Sequence, residues 1–161
     1  CHLGRYDEAR SVFPFTPDAL DRFPRDLAYT TGLQSLAYAT SKLGEVELAE
    51  RLYPDLLRHR HLFSCSFVTT TGSLEYGAAL VSLATDRHDD AVEHLRRAID
   101  ANVRAGARYW EAEARIELAE TLRSRNDNGD AAEVTELLAT AADCARTNGF
   151  AGLTRRIDAL D

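Results

Sequence analysis

The chain has 161 residues and a formal net charge of −7, with 45% hydrophobic and 28% charged residues. This composition is typical of a globular domain large enough to bury a core, and it excludes a disordered tail. The net negative charge repels phosphate groups and anionic lipid, so we expect no direct nucleic-acid binding and no membrane binding.

The first predicted element is an amphipathic helix that begins near Tyr6, and its pattern recurs along the chain. In each copy a turn residue is followed by an amphipathic helix. The apolar stripe of that helix has a residue at a fixed place that we call the marker. The markers are Ala9, Ala49, Ala91 and Val134, which are separated by 40, 42 and 43 residues. A near-constant period of this length is the sequence signature of a repeat protein.

Before each of the later markers lies another predicted helix with its own apolar stripe. These stripes contain Leu33, Leu36, Ala37 and Leu43, then Tyr76, Ala79, Leu80 and Leu83, and finally Ala112, Ile116, Ala119 and Leu122. Gly106 and Gly149 follow two marked helices at the place of a left-handed C-cap. Short side chains let antiparallel helices approach closely, so the pattern predicts helix pairs and no sheet.

Two segments resemble the tetratricopeptide pattern of helix A, turn and helix B. The matching residues are Leu36, Ala37, Gly44, Val46, Ala49 and Tyr53 in the first segment, and Ala79, His88, Ala91, Leu95 and Ala98 in the second. The resemblance covers essentially the whole chain. It implies an all-α fold, an α-α superhelix or TPR-like solenoid of about seven or eight antiparallel helices. The period exceeds the usual length of about 34 residues.

A narrower resemblance covers Gly72 to Leu153 and includes the run Gly106-Ala107-Arg108-Tyr109-Trp110. This tract is similar to the repeat region of large actinobacterial ATPase regulators. The resemblance implies a parent protein that combines an NTPase with a LuxR-type DNA-binding domain or a nucleotidyl-cyclase domain.

The repeat pattern predicts a single domain over residues 1–161. Its parts are a partial first repeat at 1–24, repeats at about 25–65, 66–106 and 107–148, and a capping helix at 149–161. The apolar stripe of the capping helix is Phe150, Leu153, Ile157 and Leu160, and Arg156 is expected to face away from the last pair.

The first repeat has helix B without its helix A, and the chain contains no Met, so we expect a fragment of a longer protein. The apolar face of that first helix, formed by Tyr6, Ala9, Val12 and Phe13, would then be partly uncovered. A second copy of the chain is therefore a candidate partner for this face.

No phosphate-binding glycine loop, nucleophile elbow or paired Cys-x-x-Cys motif occurs, so we predict no catalytic residues, cofactor or metal. The best metal candidate is His59 and His61 with Cys65, which lacks a fourth ligand and lies among arginines. Three scattered cysteines, Cys1, Cys65 and Cys144, indicate reduced thiols and a cytoplasmic protein.

The tetratricopeptide resemblance places one set of residues on the helix A face that lines a concave groove. The set is Gln34, Tyr38, Tyr76, Leu80, Glu113 and Glu120. Tyrosines there are either binding residues or ordinary helix packing. Glu113, Glu117 and Glu120, at helical spacing, form either a solvated face or an acidic clamp for a basic segment. We interpret Trp110 as packing between repeats.

We therefore predict a non-catalytic interaction or regulatory module of a bacterial LuxR-type or STAND-ATPase-like regulator. Its partner would be a neutral or basic protein segment, a peptide or another domain of the same parent chain. One alternative is a small-molecule receptor or enzyme, which would need a deep pocket lined by Trp110, Tyr76 and histidines. The other is an oligomerisation segment, which would need an apolar outer helix face.

Overall fold

A computed structural model describes residues 6–12, 18–21, 25–26, 28–66, 68–125 and 129–160. Its helices are α1 (Tyr6–Val12), α2 (Asp18–Asp21), α3 (Tyr29–Leu43), α4 (Val46–His59), α5 (Leu74–Ala84), α6 (His88–Ala105), α7 (Arg108–Arg125), α8 (Ala131–Asn148) and α9 (Ala151–Asp158). Its strands are β1 (Phe63–Cys65) and β2 (Thr70–Ser73). Apart from this hairpin the described chain is all-α, which confirms the predicted class.

The chain divides into two compact units, Cys1–Ala91 and Val92–Asp161, and the boundary lies within α6. The single domain expected over residues 1–161 stays a prediction. Among the described residues, no helix combines the length and the apolar composition that crossing a membrane requires.

Four of the turns between helices share one backbone conformation. Gly44, Asp86, Gly106 and Gly149 all have positive φ, between 57° and 71°. The N–H of the next residue then donates to a carbonyl near the helix end: Glu45 to Thr40, Arg87 to Ser82, Ala107 to Asn102 and Phe150 to Ala145. This closure satisfies carbonyls that the helix itself leaves unpaired. It confirms the predicted left-handed caps at Gly106 and Gly149.

In the first unit, α5 packs against both α3 and α4. Every residue of α5 from Leu74 to Ser82 is buried. The helices approach closely at Gly77, where a Cβ atom would lie 3.5 Å from the Cβ of Ala37 and 3.1 Å from Cδ2 of Leu56. Small side chains at the crossing therefore permit the tight packing, as the repeat pattern predicts.

A short hairpin between α4 and α5 corrects the expectation of no sheet. The antiparallel strands place Phe63 opposite Ser73. The hairpin packs on α3, where Nε2 of Gln34 donates to the carbonyl of Thr71 at 3.3 Å. Threonines at 69–71 favour extended backbone, and α3 supplies the surface that a lone hairpin needs for stability.

In the second unit, α7 packs against α8, and α9 packs against both. The buried residues of this core are Ala112, Ile116, Ala141, Ala145, Leu153 and Ile157. A bidentate ion pair between Arg125 and Asp130 spans the α7–α8 connection, with N–O distances of 3.0 and 3.1 Å. Arg96 of α6 likewise pairs with Glu133 of α8, at 2.8 and 3.0 Å.

Candidate functional site

Arg156 of α9 lies against three glutamates of α7. Its Nη1 donates to Glu113 at 3.0 Å, and its Nη2 donates to Glu117 at 2.6 Å. Glu120 accepts from both Nε, at 3.1 Å, and Nη2, at 2.5 Å. One guanidinium reaches all three carboxylates because residues three and four apart share a helix face. We call these four residues the Arg156 cluster.

The Arg156 cluster corrects two expectations from the sequence. Glu113 and Glu117 are only 8% and 6% exposed, so they do not form a solvated face. Arg156 turns toward α7 and does not face away from it. Both glutamates of the predicted groove set, Glu113 and Glu120, belong to this cluster. Their role in binding a partner stays a prediction.

The glutamates hold Arg156 in its charged form. Burial alone would lower the pKa of the guanidinium, but the hydrogen bond to Glu120 and the charges of Glu117 and Glu113 raise it above its ordinary value. A guanidinium that stays charged does not transfer protons in general acid–base catalysis. The cluster is therefore suited to holding two helices together.

Beneath the Arg156 cluster, the contact between α9 and the α7–α8 pair is apolar. Leu153 and Ile157 are 2% and 6% exposed. They pack with Ala112, Ile116, Ala141 and Ala145, and Phe150 and Leu160 lie at the edge of the same core. Nη1 of Arg123 donates to the carbonyl of Leu160 at 2.6 Å, two residues beyond the end of α9, and so holds the end of this segment against α7. The predicted apolar stripe of α9 is thus confirmed.

Aromatic side chains add a third contact at the other end of α9. The ring of Tyr109 lies edge-on to Trp110 and to Phe150, with centroids 5.0 and 5.3 Å apart. Burial, then the charge of Glu113, raises the pKa of Tyr109, while Arg156 lowers it. These contacts fit the interpretation of Trp110 as a packing residue.

Four predicted groove residues lie in the first unit, and three of them are buried. Leu80 has no exposed surface, Tyr76 is 3% exposed and Gln34 is 5% exposed. Tyr38 is half-buried, with Nζ of Lys42 5.8 Å from its ring centroid. Burial of the first three does not favour contact with a partner, whereas Tyr38 presents some surface. A binding role for the set stays a prediction.

The first unit also contains an ionisable cluster that sequence reasoning missed. Asp55 of α4 is 7% exposed, and nitrogens of Arg25 and Arg58 each lie 3.9 Å from its carboxylate. The ring of Tyr29 packs edge-on against His59, with centroids 5.6 Å apart. Burial, then the charge of Asp55, raises the pKa of Tyr29. Helical spacing could have linked Asp55 to Arg58, but Tyr29 and Arg25 come from elsewhere in the chain.

The metal candidate is divided between helix and hairpin. Nδ1 of His59 lies 2.8 Å from the carbonyl of Asp55, within α4. Cys65 is exposed in β1, and its Sγ donates to the carbonyl of Ser66 at 3.2 Å. Within the part of the chain that the structure describes, no three His, Cys, Asp or Glu side chains are grouped to hold a metal ion.

Two open grooves lie along α8 and α9. One has a volume of about 430 Å³ and is lined by Arg123, Val134, Thr135, Leu138, Ala139, Ala142, Ile157 and Leu160. The other, of about 340 Å³, is lined by Ala145, Arg146, Gly149, Ala151, Thr154 and Arg155. Neither lining contains Trp110, Tyr76 or a histidine, so neither is the pocket that would favour a small-molecule receptor.

Comparison of the chain with protein-family models, with curated proteins and with solved structures finds no match.

Proposed function

We propose that this chain is a TPR-like interaction module within a larger bacterial regulator of the LuxR-type or STAND-ATPase-like kind. On this proposal the module acts in the cytoplasm, performs no chemistry and binds a protein segment or a neighbouring domain of its own parent chain. The alternatives of a small-molecule receptor and an oligomerisation segment have no comparable observation in their favour.

The observation that supports this proposal most is the recurrence of one turn. Left-handed residues at Gly44, Asp86, Gly106 and Gly149 each connect a helix to the next with the same backbone closure. A left-handed closure ends many helices, and here it recurs together with small residues at a helix crossing, which suits stacked helix pairs. Repeat proteins generally use extended surfaces to bind other proteins, because each added helix pair enlarges the same face.

The acidic character of the chain supports a neutral or basic partner. The net charge of −7 disfavours an acidic segment, and screening at physiological salt keeps the long-range attraction modest. Of the predicted groove residues, Tyr38 and Glu120 are the two that are only partly buried. Tyrosine is enriched at binding hot spots because it buries a large rigid surface while keeping a hydroxyl group.

The test is a calorimetric titration of the chain against the domains that flank it in its parent protein. We expect one of them to bind, and Tyr38→Ala to weaken that binding by about 1–3 kcal/mol. Val46→Ala is the control, because Val46 is an exposed apolar residue (51%) that lies outside the groove set and outside the α1 face. The proposal fails if no flanking domain binds. The groove assignment alone fails if Tyr38→Ala and Val46→Ala behave alike.

A further inference from the structure

The joint between α8 and α9 is an Asn–Gly pair. Asn148 is the last residue of α8, Gly149 is the left-handed residue that follows it, and both are exposed. In such a pair the backbone nitrogen of the glycine can attack the side-chain amide of the asparagine, because glycine has no side chain to block the approach. The product of that attack forms without an enzyme, so the joint is a place where covalent chemistry can start.

The surroundings of Gly149 leave the backbone room to move into the geometry of attack. A Cβ added at Gly149 would meet nothing within 4 Å. Its N–H is shared between the carbonyls of Ala145 and Arg146, and the distance to the Arg146 oxygen is 3.4 Å, longer than an ordinary N–H···O bond. Helix ends open at a small fraction of the cost of unfolding a core, so the attack needs only a local opening.

The amide of Asn148 has a structural role that this chemistry would remove. Its Nδ2 donates to the carbonyl of Cys144 at 2.9 Å and lies 3.7 Å from the Sγ of the same residue. A carboxylate at position 148 has no hydrogen to donate. It would also place a negative charge at the end of the helix where the dipole is already negative. Conversion of the amide to an acid therefore weakens the end of α8.

The turn that follows Asn148 determines where α9 lies. The N–H of Phe150 donates to the carbonyl of Ala145 at 2.8 Å and closes the turn. With the turn closed, Arg156 of α9 reaches the glutamates of α7, including Glu113 at 3.0 Å. A change in the length of the main chain within this turn would move the Phe150 N–H out of register with its acceptor. The Arg156 cluster would then lose its geometry.

We propose that Asn148–Gly149 is a site of spontaneous deamidation, and that the modification releases α9 from α7. In the first step the nitrogen of Gly149 gives up its proton and bonds to Cγ of Asn148. The Cγ–Nδ2 bond breaks, and the amide nitrogen leaves with that proton as ammonia. Water then opens the succinimide ring that has formed. Opening at Cγ gives aspartate, and opening at the main-chain carbonyl gives isoaspartate, which adds one carbon to the main chain.

The inference goes beyond the proposed function and does not depend on it. Aspartate removes the hydrogen bond to Cys144 and adds a charge, whereas isoaspartate also lengthens the turn between α8 and α9. Neither product reverts to asparagine without a new source of ammonia. The joint would therefore act as a one-way switch for the position of α9.

The test of the site is peptide mapping of the full chain after incubation at pH 8. Trypsin cleaves after Arg146 and Arg155, so the peptide 147–155 reports this pair by itself. We expect the peptide to gain the mass of an amide converted to an acid, at a rate within about a hundredfold of the rate in urea, because a helix end opens locally. A slower rate would mean that the reaction waits for global unfolding, and the inference would be overturned.

Two controls accompany the mapping. Asn148→Gln keeps an amide donor but would need a larger ring, so its peptide 147–155 should show almost no mass gain. The sequence contains a second pair, Asn128–Gly129, and the tryptic peptide 126–146 shows in the same samples that the conditions support the reaction. Equal mass gain in Asn148→Gln and in the wild-type chain would contradict attack at Asn148.

Release of α9 is tested by hydrogen exchange. Ion-exchange chromatography separates the modified chain, because the acid adds one negative charge, and Asn148→Asp supplies the aspartate product alone. We expect the amides of α9 to exchange about tenfold faster in the modified chain, which corresponds to about 1.4 kcal/mol. The amides of α5 are the reference and should be unchanged. Exchange in α9 that matches the unmodified chain would overturn its release.

Discussion

Glu113 and Arg156 are 43 residues apart, and their side chains pair at an N–O distance of 3.0 Å. The same interval separates Gly106 and Gly149, the left-handed glycines that precede α7 and α9. Arg156 therefore lies as far along the chain after Gly149 as Glu113 lies after Gly106.

Removing Arg156 should loosen α9. Its side chain is 25% exposed and bonds to three carboxylates, so Arg156→Ala leaves Glu113 and Glu117 buried without that cation. We expect a loss of about 1–3 kcal/mol in unfolding free energy, between the values for exposed and fully buried pairs. Urea denaturation measures it. Arg146→Ala is the control, because Arg146 pairs with Asp143 and both are well exposed. Equal effects would show that the Arg156 cluster does not hold α9 against α7.

Gly77→Ala should destabilise the first unit. The added Cβ would lie 2.5 Å from Oε1 of the buried Gln34 and 3.1 Å from Cδ2 of the buried Leu56. Moving the Gln34 amide aside would break its hydrogen bond to the carbonyl of Thr71. Overpacking costs about 1–3 kcal/mol and should exceed the gain of about 1 kcal/mol in helix propensity.

Gly152→Ala in α9 is the matched control for Gly77→Ala, because a Cβ at Gly152 meets nothing within 4 Å. This helical substitution should raise stability by about 0.4–1 kcal/mol. Thermal unfolding of the two variants gives the comparison. A stabilising Gly77→Ala would contradict the close packing of α5 on α3.

Gly106→Ala should strain the turn between α6 and α7. Gly106 has a φ of 66°, a conformation that costs an L-residue with a Cβ about 1–2 kcal/mol. Gly129→Ala is the comparison, since Gly129 is not among the glycines with positive φ and has open space around it. Chemical denaturation should show a clear loss for Gly106→Ala and almost none for Gly129→Ala. The assignment of a left-handed cap fails if the two are equal.

Cys65 should react with iodoacetamide faster than Cys144. Cys65 is exposed, whereas Cys144 is half-buried and its Sγ lies 3.5 Å from the carbonyl of Arg108. Burial, then the charge of Glu111, raises the pKa of the Cys144 thiol, so a smaller fraction is thiolate at pH 8. Peptide mapping by mass spectrometry after brief labelling measures both sites. Faster labelling of Cys144 would contradict its placement against α7.

The helices and their order follow from local signals in the sequence. Apolar spacing identified α3 to α9, and glycine after a helical stripe identified the caps at Gly106 and Gly149. These features depend on a few consecutive residues, so they can be read without knowing which helices touch. The stripe of α9, from Phe150 to Leu160, was predicted on the same basis.

The hairpin and the burial of the candidate site depend on contacts between distant segments. Thr70 and Thr71 become strand because α3 offers Gln34 and a surface to pack on. Leu80 and Tyr76 are equally compatible with a groove or a core until α5 is packed against its neighbours. A periodic stripe indicates which face of a helix is apolar, but it does not show what covers that face.

By itself the sequence determined the succession of amphipathic helices α3 to α9 and the left-handed caps at Gly106 and Gly149, because these arise within single segments. Only the tertiary structure decided that Arg156 meets Glu113, Glu117 and Glu120, since that depends on how α9 lies across α7. A charged residue on a short helix looks solvated in isolation. It joins two helices when a neighbouring helix brings carboxylates within hydrogen-bond distance and removes water from around them.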